Sequence, residues 1–168
     1  DARIHTSYKS TYKMYGFSML RINDDIKKRV FMTFYSEEET YNWAVEFGKS
    51  LKPGDMVALY GNLGAGKTVM SRGICKGLGF EGSVCSPTYT ILHEYPNDPP
   101  LFHFDLYRLE PGAELYEVGF DHDYLSRGVT LIEWPERLDG QTYDVTYKIN
   151  IEIVSENVRE VTVEKWES

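Results

Sequence analysis

Nowhere in the 168 residues is there an apolar run approaching the ~20 residues that a membrane-crossing helix needs, so a helical membrane protein is excluded. Cysteine is nearly absent. Cys75 and Cys85 are the only two, with no CxxC or metal-ligand spacing, which fits two reduced thiols in a cytosolic protein rather than a disulfide framework. Internal repeats and low-complexity segments are missing too. Positive charge is scarce: 18 Lys and Arg stand against 26 Asp and Glu, for a formal net charge of −8. The deficit is uneven, because residues 1–30 carry seven Lys or Arg against three Asp and leave a net −12 on residues 31–168. An acidic body repels phosphate backbones, which argues against extensive direct nucleic-acid binding and for protein partners.

The length suits one domain with a substantial core, and the 42% hydrophobic content is ordinary for a globular chain. Residues 1–30 read as an N-terminal extension of unknown role, basic and hydroxyl-rich, with Tyr8, Tyr12 and Tyr15 interleaved with Lys9 and Lys13. Its first residue, Asp1 rather than Met, suggests a processed end, and its tyrosines are foreign to a transit peptide. Residues 31–168 are expected to form the single folded domain.

The densest information lies in Gly61-Asn62-Leu63-Gly64-Ala65-Gly66-Lys67-Thr68, which matches the phosphate-binding pattern GxxxxGK[ST] at every fixed position. Glycines permit a tight turn in which successive N–H groups point inward at phosphate oxygens. Lys67 would neutralise the β- and γ-phosphates, and the Thr68 hydroxyl would be a ligand of the Mg²⁺ that bridges them. The flanks decide between this reading and a merely structural Gly-rich turn. Asp55 to Tyr60 reads as a buried strand after the turn Lys52-Pro53-Gly54, and Val69, Met70, Ile74 and Leu78 recur at helical spacing until Gly77 and Gly79. A strand, a loop and a helix in this order are what a nucleoside triphosphate site demands.

Upstream, Arg29 to Phe34 is β-like, and Ser36 followed by three glutamates predicts the capped start of a helix with Trp43, Ala44, Phe47 and Leu51 on one face. Downstream, Tyr89 to Tyr95 and Leu101 to Tyr107 read as strands. The period of two in the latter puts His103, Asp105 and Tyr107 on one face and Phe102, Phe104 and Leu106 on the other. Two short helices, Gly112 to Val118 and Asp121 to Leu125, precede an apolar strand, Val129 to Ile132, that ends at Glu133-Trp134-Pro135. Alternation from Val145 to Ile153, a turn at Ser155-Glu156-Asn157, and Val161 and Val163 predict a terminal hairpin. The expected fold is α/β and P-loop NTPase-like: a central, mostly parallel sheet flanked by helices, with a C-terminal β-hairpin.

Phosphoryl transfer asks a protein for positioning and charge compensation, hence for an acid near Mg²⁺ and a group that orients the attacking water. Glu133, at the carboxyl end of an apolar strand, is the natural acid. Asp105 is the second, with a structural Asp–Arg pair as its alternative, and His103 is read as a packed or hydrogen-bonded ring. Thr88, on the stiff Ser86-Pro87 turn, would sense the γ-phosphate unless it serves the turn alone. Trp134 would stack on a base, cap a partner site or belong to the core. Arg108, Arg127 and Arg137 are candidates for phosphate or partner contact, with solvated surface as the default.

Taken together, Gly61 to Thr68, Ser86-Pro87-Thr88-Tyr89-Thr90, His103-Phe104-Asp105-Leu106-Tyr107-Arg108-Leu109 and Ile132-Glu133-Trp134-Pro135 resemble, in order and spacing, the TsaE (YjeE) family over roughly residues 31–138. The resemblance implies a Mg²⁺-dependent ATPase of bacterial tRNA threonylcarbamoyladenosine synthesis, working in the cytoplasm beside the TsaB and TsaD proteins. That ATPase supports TsaD, which modifies adenosine 37, without transferring the threonylcarbamoyl group itself. By the same resemblance Lys67 and Thr68 hold phosphate and metal, Glu133 is the Mg²⁺-associated acid, Asp105 the essential aspartate, and Ser86 to Thr90 a switch-like loop. The tRNA would be held through partners, in keeping with the acidic body. Asn62 departs from the Asp common at that loop position. A small-molecule kinase and a nucleotide-dependent binding module with incidental hydrolysis are the alternatives, and the lack of an NKxD segment disfavours a GTPase.

Overall fold

Apolar alternation and helical spacing produce elements close to where the sequence places them. The computed structural model describes residues 3–5, 26–84, 91–110, 115–138 and 144–166. Thr88, with the whole Ser86 to Thr90 segment, lies outside the described residues, as do Cys85 and most of residues 1–30.

Among the described residues eight strands form one sheet: β1 (Arg3–His5), β2 (Ile26–Phe34), β3 (Met56–Tyr60), β4 (Leu92–Tyr95), β5 (Leu101–Asp105), β6 (Val129–Glu133), β7 (Tyr147–Ile153) and β8 (Arg159–Trp166). Their spatial order is β1-β2-β8-β7-β3-β6-β5-β4. The helices are α1 (Glu37–Ser50), α2 (Lys67–Gly77) and the short α3 (His122–Leu125), with 3₁₀ turns at Leu115–Val118 and Pro135–Leu138. The architecture is mixed α/β. The expectation of a mostly parallel sheet is corrected: only β7-β3-β6-β5 run parallel, while β4 and the β8, β2 and β1 side are antiparallel. Short turns between β4 and β5 and between β7 and β8 leave no room for a crossover, so those neighbours must run antiparallel. The predicted hairpin is present, and its first strand joins the sheet beside β3.

Ser36 caps α1 by accepting from the Glu39 amide at 3.1 Å, while the Glu39 carboxylate accepts from the Tyr35 amide at 2.8 Å. This reciprocal pair satisfies donors that a helix start leaves orphaned. On one side of the sheet α1 and α2 enclose Val57, Leu59, Met70, Ile74, Leu131 and Ile149; on the other, α3 and the 3₁₀ turns cover Met56, Phe102, Phe104, Leu106 and Ile132. The helices approach closely because three glycines line their contact. A Cβ on Gly77 would sit 2.1 Å from the Val45 carbonyl oxygen, and one on Gly73 would sit 2.5 Å from the Ala44 Cβ.

The alternation of β5 holds, so Leu101 and His103 face the α2 side while Phe102 and Phe104 face away. The carboxyl ends of β3, β5 and β6 then share one edge of the sheet. In register, Asp105 pairs with Glu133 and Glu133 with Leu59, which sets both acids beside the loop that leaves β3.

Candidate functional site

Between β3 and α2 the chain turns through Gly61 to Gly66 with φ of +79° at Gly64 and +108° at Gly66. Those angles belong to the left-handed region that glycine alone enters without strain. A Cβ at either position would meet no protein atom within 4 Å, so packing does not require glycine there. What requires it is the backbone path around an open cradle. Gly66 is the N-cap of α2 and supplies no side-chain bond to the first amides of the helix. Uncapped amides at a helix start carry partial positive charge and suit an anion.

Lys67 is the first residue of α2 and is only 5% exposed. Its Nζ donates to the Gly61 carbonyl and, at 3.2 Å, to that of Asn62, and it lies over the indole of Trp134. Burial lowers the Lys67 pKa below the usual lysine value, and the carboxylates of Glu133, Glu136 and Asp105 pull in the opposite direction. Desolvation thus outweighs the attraction of the nearby acids.

Glu133 ends β6 almost completely buried, and its Oε1 accepts from Ser71 Oγ at 2.8 Å and from His103 Nε2 at 2.9 Å. The hydrogen-bonded-ring reading of His103 is therefore the one observed. Asp105 is half-buried at the end of β5, where its Oδ1 accepts from the Tyr107 amide at 3.0 Å. The core reading of Trp134 holds, since it packs on the second core cluster and against Tyr107, and its ring also covers Lys67.

Leu63, Gly64, Ala65, Gly66, Lys67, Thr68, Asp105, Glu133 and Trp134 line one cavity of about 660 Å³. Arg108 lines it as well. Arg127 instead folds back on the Tyr124 ring and carbonyl, and Arg137 lies over Tyr107. Asn62 stays beside the cavity, giving its carbonyl to Lys67 and to the Ala65 amide. Among the described residues no group of three or more His, Cys, Asp or Glu is arranged to hold a metal ion. A divalent cation here would draw most of its oxygens from a ligand, as Mg²⁺ bound with phosphates does.

Two contributors escaped the sequence reading. Arg159, at the start of β8, donates from Nε to the Ala65 carbonyl at 3.0 Å and from Nη2 to that of Gly64 at 3.3 Å, while Nη1 bonds the carbonyls of Ser155, Glu156 and Val158. No local pattern signals this clamp. Ser71 had a signal: it follows Lys67 by one helical turn and so shares its face of α2.

The family model described as "Threonylcarbamoyl adenosine biosynthesis protein TsaE" matches residues 34–161. Among similar proteins, the tRNA threonylcarbamoyladenosine biosynthesis protein TsaE of Treponema pallidum is 34% identical over 128 residues, covering 76% of this chain and 95% of that protein. Its Bacillus subtilis counterpart is 40% identical over 127 residues, covering 74% and 78%. The crystal structure of Bacillus subtilis YdiB superposes with a TM-score of 0.68 at 32% identity, covering 83% of this chain and 87% of that one. A match spanning the strand–loop–helix, both acids and the Arg159 clamp makes this chain a member of the TsaE family.

Proposed function

We propose that this protein binds and hydrolyses ATP with Mg²⁺ and, in doing so, supports the modification of adenosine 37 in tRNA together with TsaB and TsaD. The family's role is in tRNA threonylcarbamoyladenosine biosynthesis. The observation that carries the ATPase reading is the meeting of an open glycine cradle, the desolvated Lys67 ammonium and the paired acids Asp105 and Glu133 in one cavity.

In this reading the amides of residues 62–68 hold the phosphates and Lys67 compensates their charge. Thr68 and Glu133 would hold the cation, which would offset the negative charge that develops on the phosphate oxygens. Asp105, beside Glu133, orients the attacking water, and Thr88 responds to the γ-phosphate. The threonylcarbamoyl group is transferred elsewhere, and the acidic body leaves tRNA to the partners. The work is cytoplasmic; no helix among the described residues is long and apolar enough to cross a membrane.

The test is ATP hydrolysis by the purified protein alone, with TsaB, with TsaD and with both. Stimulation by the pair is expected. Phosphorylation of an added metabolite in their absence points instead to a small-molecule kinase, and nucleotide binding with no hydrolysis under any condition to a binding module.

A further inference from the structure

Ser71 and His103 come from different elements, α2 and β5, yet both bond the same atom, Oε1 of Glu133, at 2.8 and 2.9 Å. Both partners are fully buried and Glu133 is 2% exposed, so water does not compete for that oxygen. The other oxygen, Oε2, accepts no hydrogen bond from the described residues. Because no buried side-chain oxygen or nitrogen among them lacks a partner, Oε2 must open onto the cavity that Glu133 lines. The carboxylate is thus asymmetric: one oxygen is tethered twice and its twin is left facing the ligand space.

Behind His103 stands the Tyr95 hydroxyl, 3.4 Å from Nδ1. With the hydroxyl as donor, Nδ1 accepts and Nε2 carries the proton that goes to Glu133, so the orientation of the ring is set from both ends. Two donors on one oxygen stop rotation of the carboxylate about its terminal bond.

We propose that Ser71 and His103 are positioning residues that aim Oε2 of Glu133 at the divalent cation of a bound nucleotide. The proposal rests on the ATP–Mg²⁺ reading above and adds to it which groups behind Glu133 fix the direction of its free oxygen. Partners of this kind, one step removed from a metal, commonly change metal affinity by about 10–100-fold when removed. A bystander role, in which the two donors only satisfy a buried charge, predicts loss of stability without a change in metal response.

The experiment measures binding of a fluorescent ADP analogue to the full chain, with Mg²⁺ titrated and, separately, in EDTA. Ser71→Ala and His103→Leu are expected to raise the Mg²⁺ half-saturation about 10–100-fold while the EDTA affinity stays near wild type. His103→Gln, whose amide can donate from a similar place, is expected to recover most of the loss. An Mg²⁺ half-saturation within about twofold of wild type in folded variants overturns the proposal. So does an equal loss with and without metal. If His103→Leu does not fold, Ser71→Ala decides, since it removes one hydroxyl from a helix that tolerates alanine. Wild-type protein that binds no nucleotide overturns the ATP reading itself, an outcome separate from the others.

Discussion

The Lys67 ammonium lies 3.6 Å from the centroid of the Trp134 indole, with Trp134 held at a φ of +60°. For a bulky side chain that conformation costs on the order of 1–3 kcal/mol, and the turn that follows, in which the Arg137 amide donates to the Trp134 carbonyl at 3.1 Å, holds it in place. The charge that the proposed function assigns to phosphate is thus occupied by an aromatic face and by carbonyls of its own loop. Phosphates that take Lys67 must weaken its hold on the indole, so nucleotide is expected to alter tryptophan emission. Trp134→Phe should abolish the change while Trp43 and Trp166 remain, and an unchanged response in that variant would assign the signal elsewhere.

Lys67→Met separates stability from binding. The folded-state pKa of Lys67 is lowered, so the charged form costs folding free energy at neutral pH, and stability linked to this group rises with pH below its unfolded value of 10.5. The methionine variant should therefore melt no lower than wild type. It should also lose the upward shift of about 5–10 °C that ATP at ~100 times its Kd gives a protein of this size. Glu133→Gln should behave differently, retaining most of the ATP-induced shift while hydrolysis falls about 100-fold, as for loss of an electrostatic group at the reacting centre. Thermal melts paired with phosphate-release assays check both.

Arg159→Leu should loosen the cradle from outside. It removes bonds to Gly64 and Ala65 and three to the hairpin turn, leaving carbonyls to find water. We expect a stability loss of about 1–3 kcal/mol and roughly tenfold weaker ATP binding, read by denaturant melts and calorimetry. Arg159→Lys, with one ammonium where a fork is needed, should restore only part.

Alkaline pH should destabilise the protein through Cys75. Burial, with a smaller push from Glu133, raises this thiol from 9.0 to about 12. Between those values the unfolded chain gives up the proton and the folded one keeps it, so stability falls as pH rises, by up to about 1.4 kcal/mol per unit. Cys75→Ala should lessen the slope of stability against pH between 9 and 11. The native thiol should also resist alkylation until the protein unfolds, a point checked by mass spectrometry of the modified peptide.

Much of the site is local and was therefore legible. The strand, loop and helix around Lys67 announce themselves within residues 55–78, Glu133 stands out as an acid at the tip of an apolar strand, and Asp105 as an acid on the polar face of another. Their adjacency needed only the assumption of parallel neighbours, which holds for β5 and β6. Relations set by tertiary placement were hidden. Nothing near residue 159 announces a bond to the loop, and Gly77 reads as punctuation although it lies within α2, pressed against α1 at Val45. The antiparallel placement of β2 beside β8 and of β4 beside β5 was missed because alternation reveals a strand but not the direction of its neighbour.

The clamp by Arg159 also imposes an order of events. Arg159 lies 94 positions beyond Ala65, whose carbonyl it holds, so at ~5–20 residues per second the ribosome completes the motif roughly 5–20 s before its brace exists. Throughout that interval the nascent chain displays every residue of the phosphate-binding signature without the strand that pins it. The loop is therefore braced only once β8 has been made, which ties the finished shape of the cradle to a strand that synthesis delivers long after the loop itself.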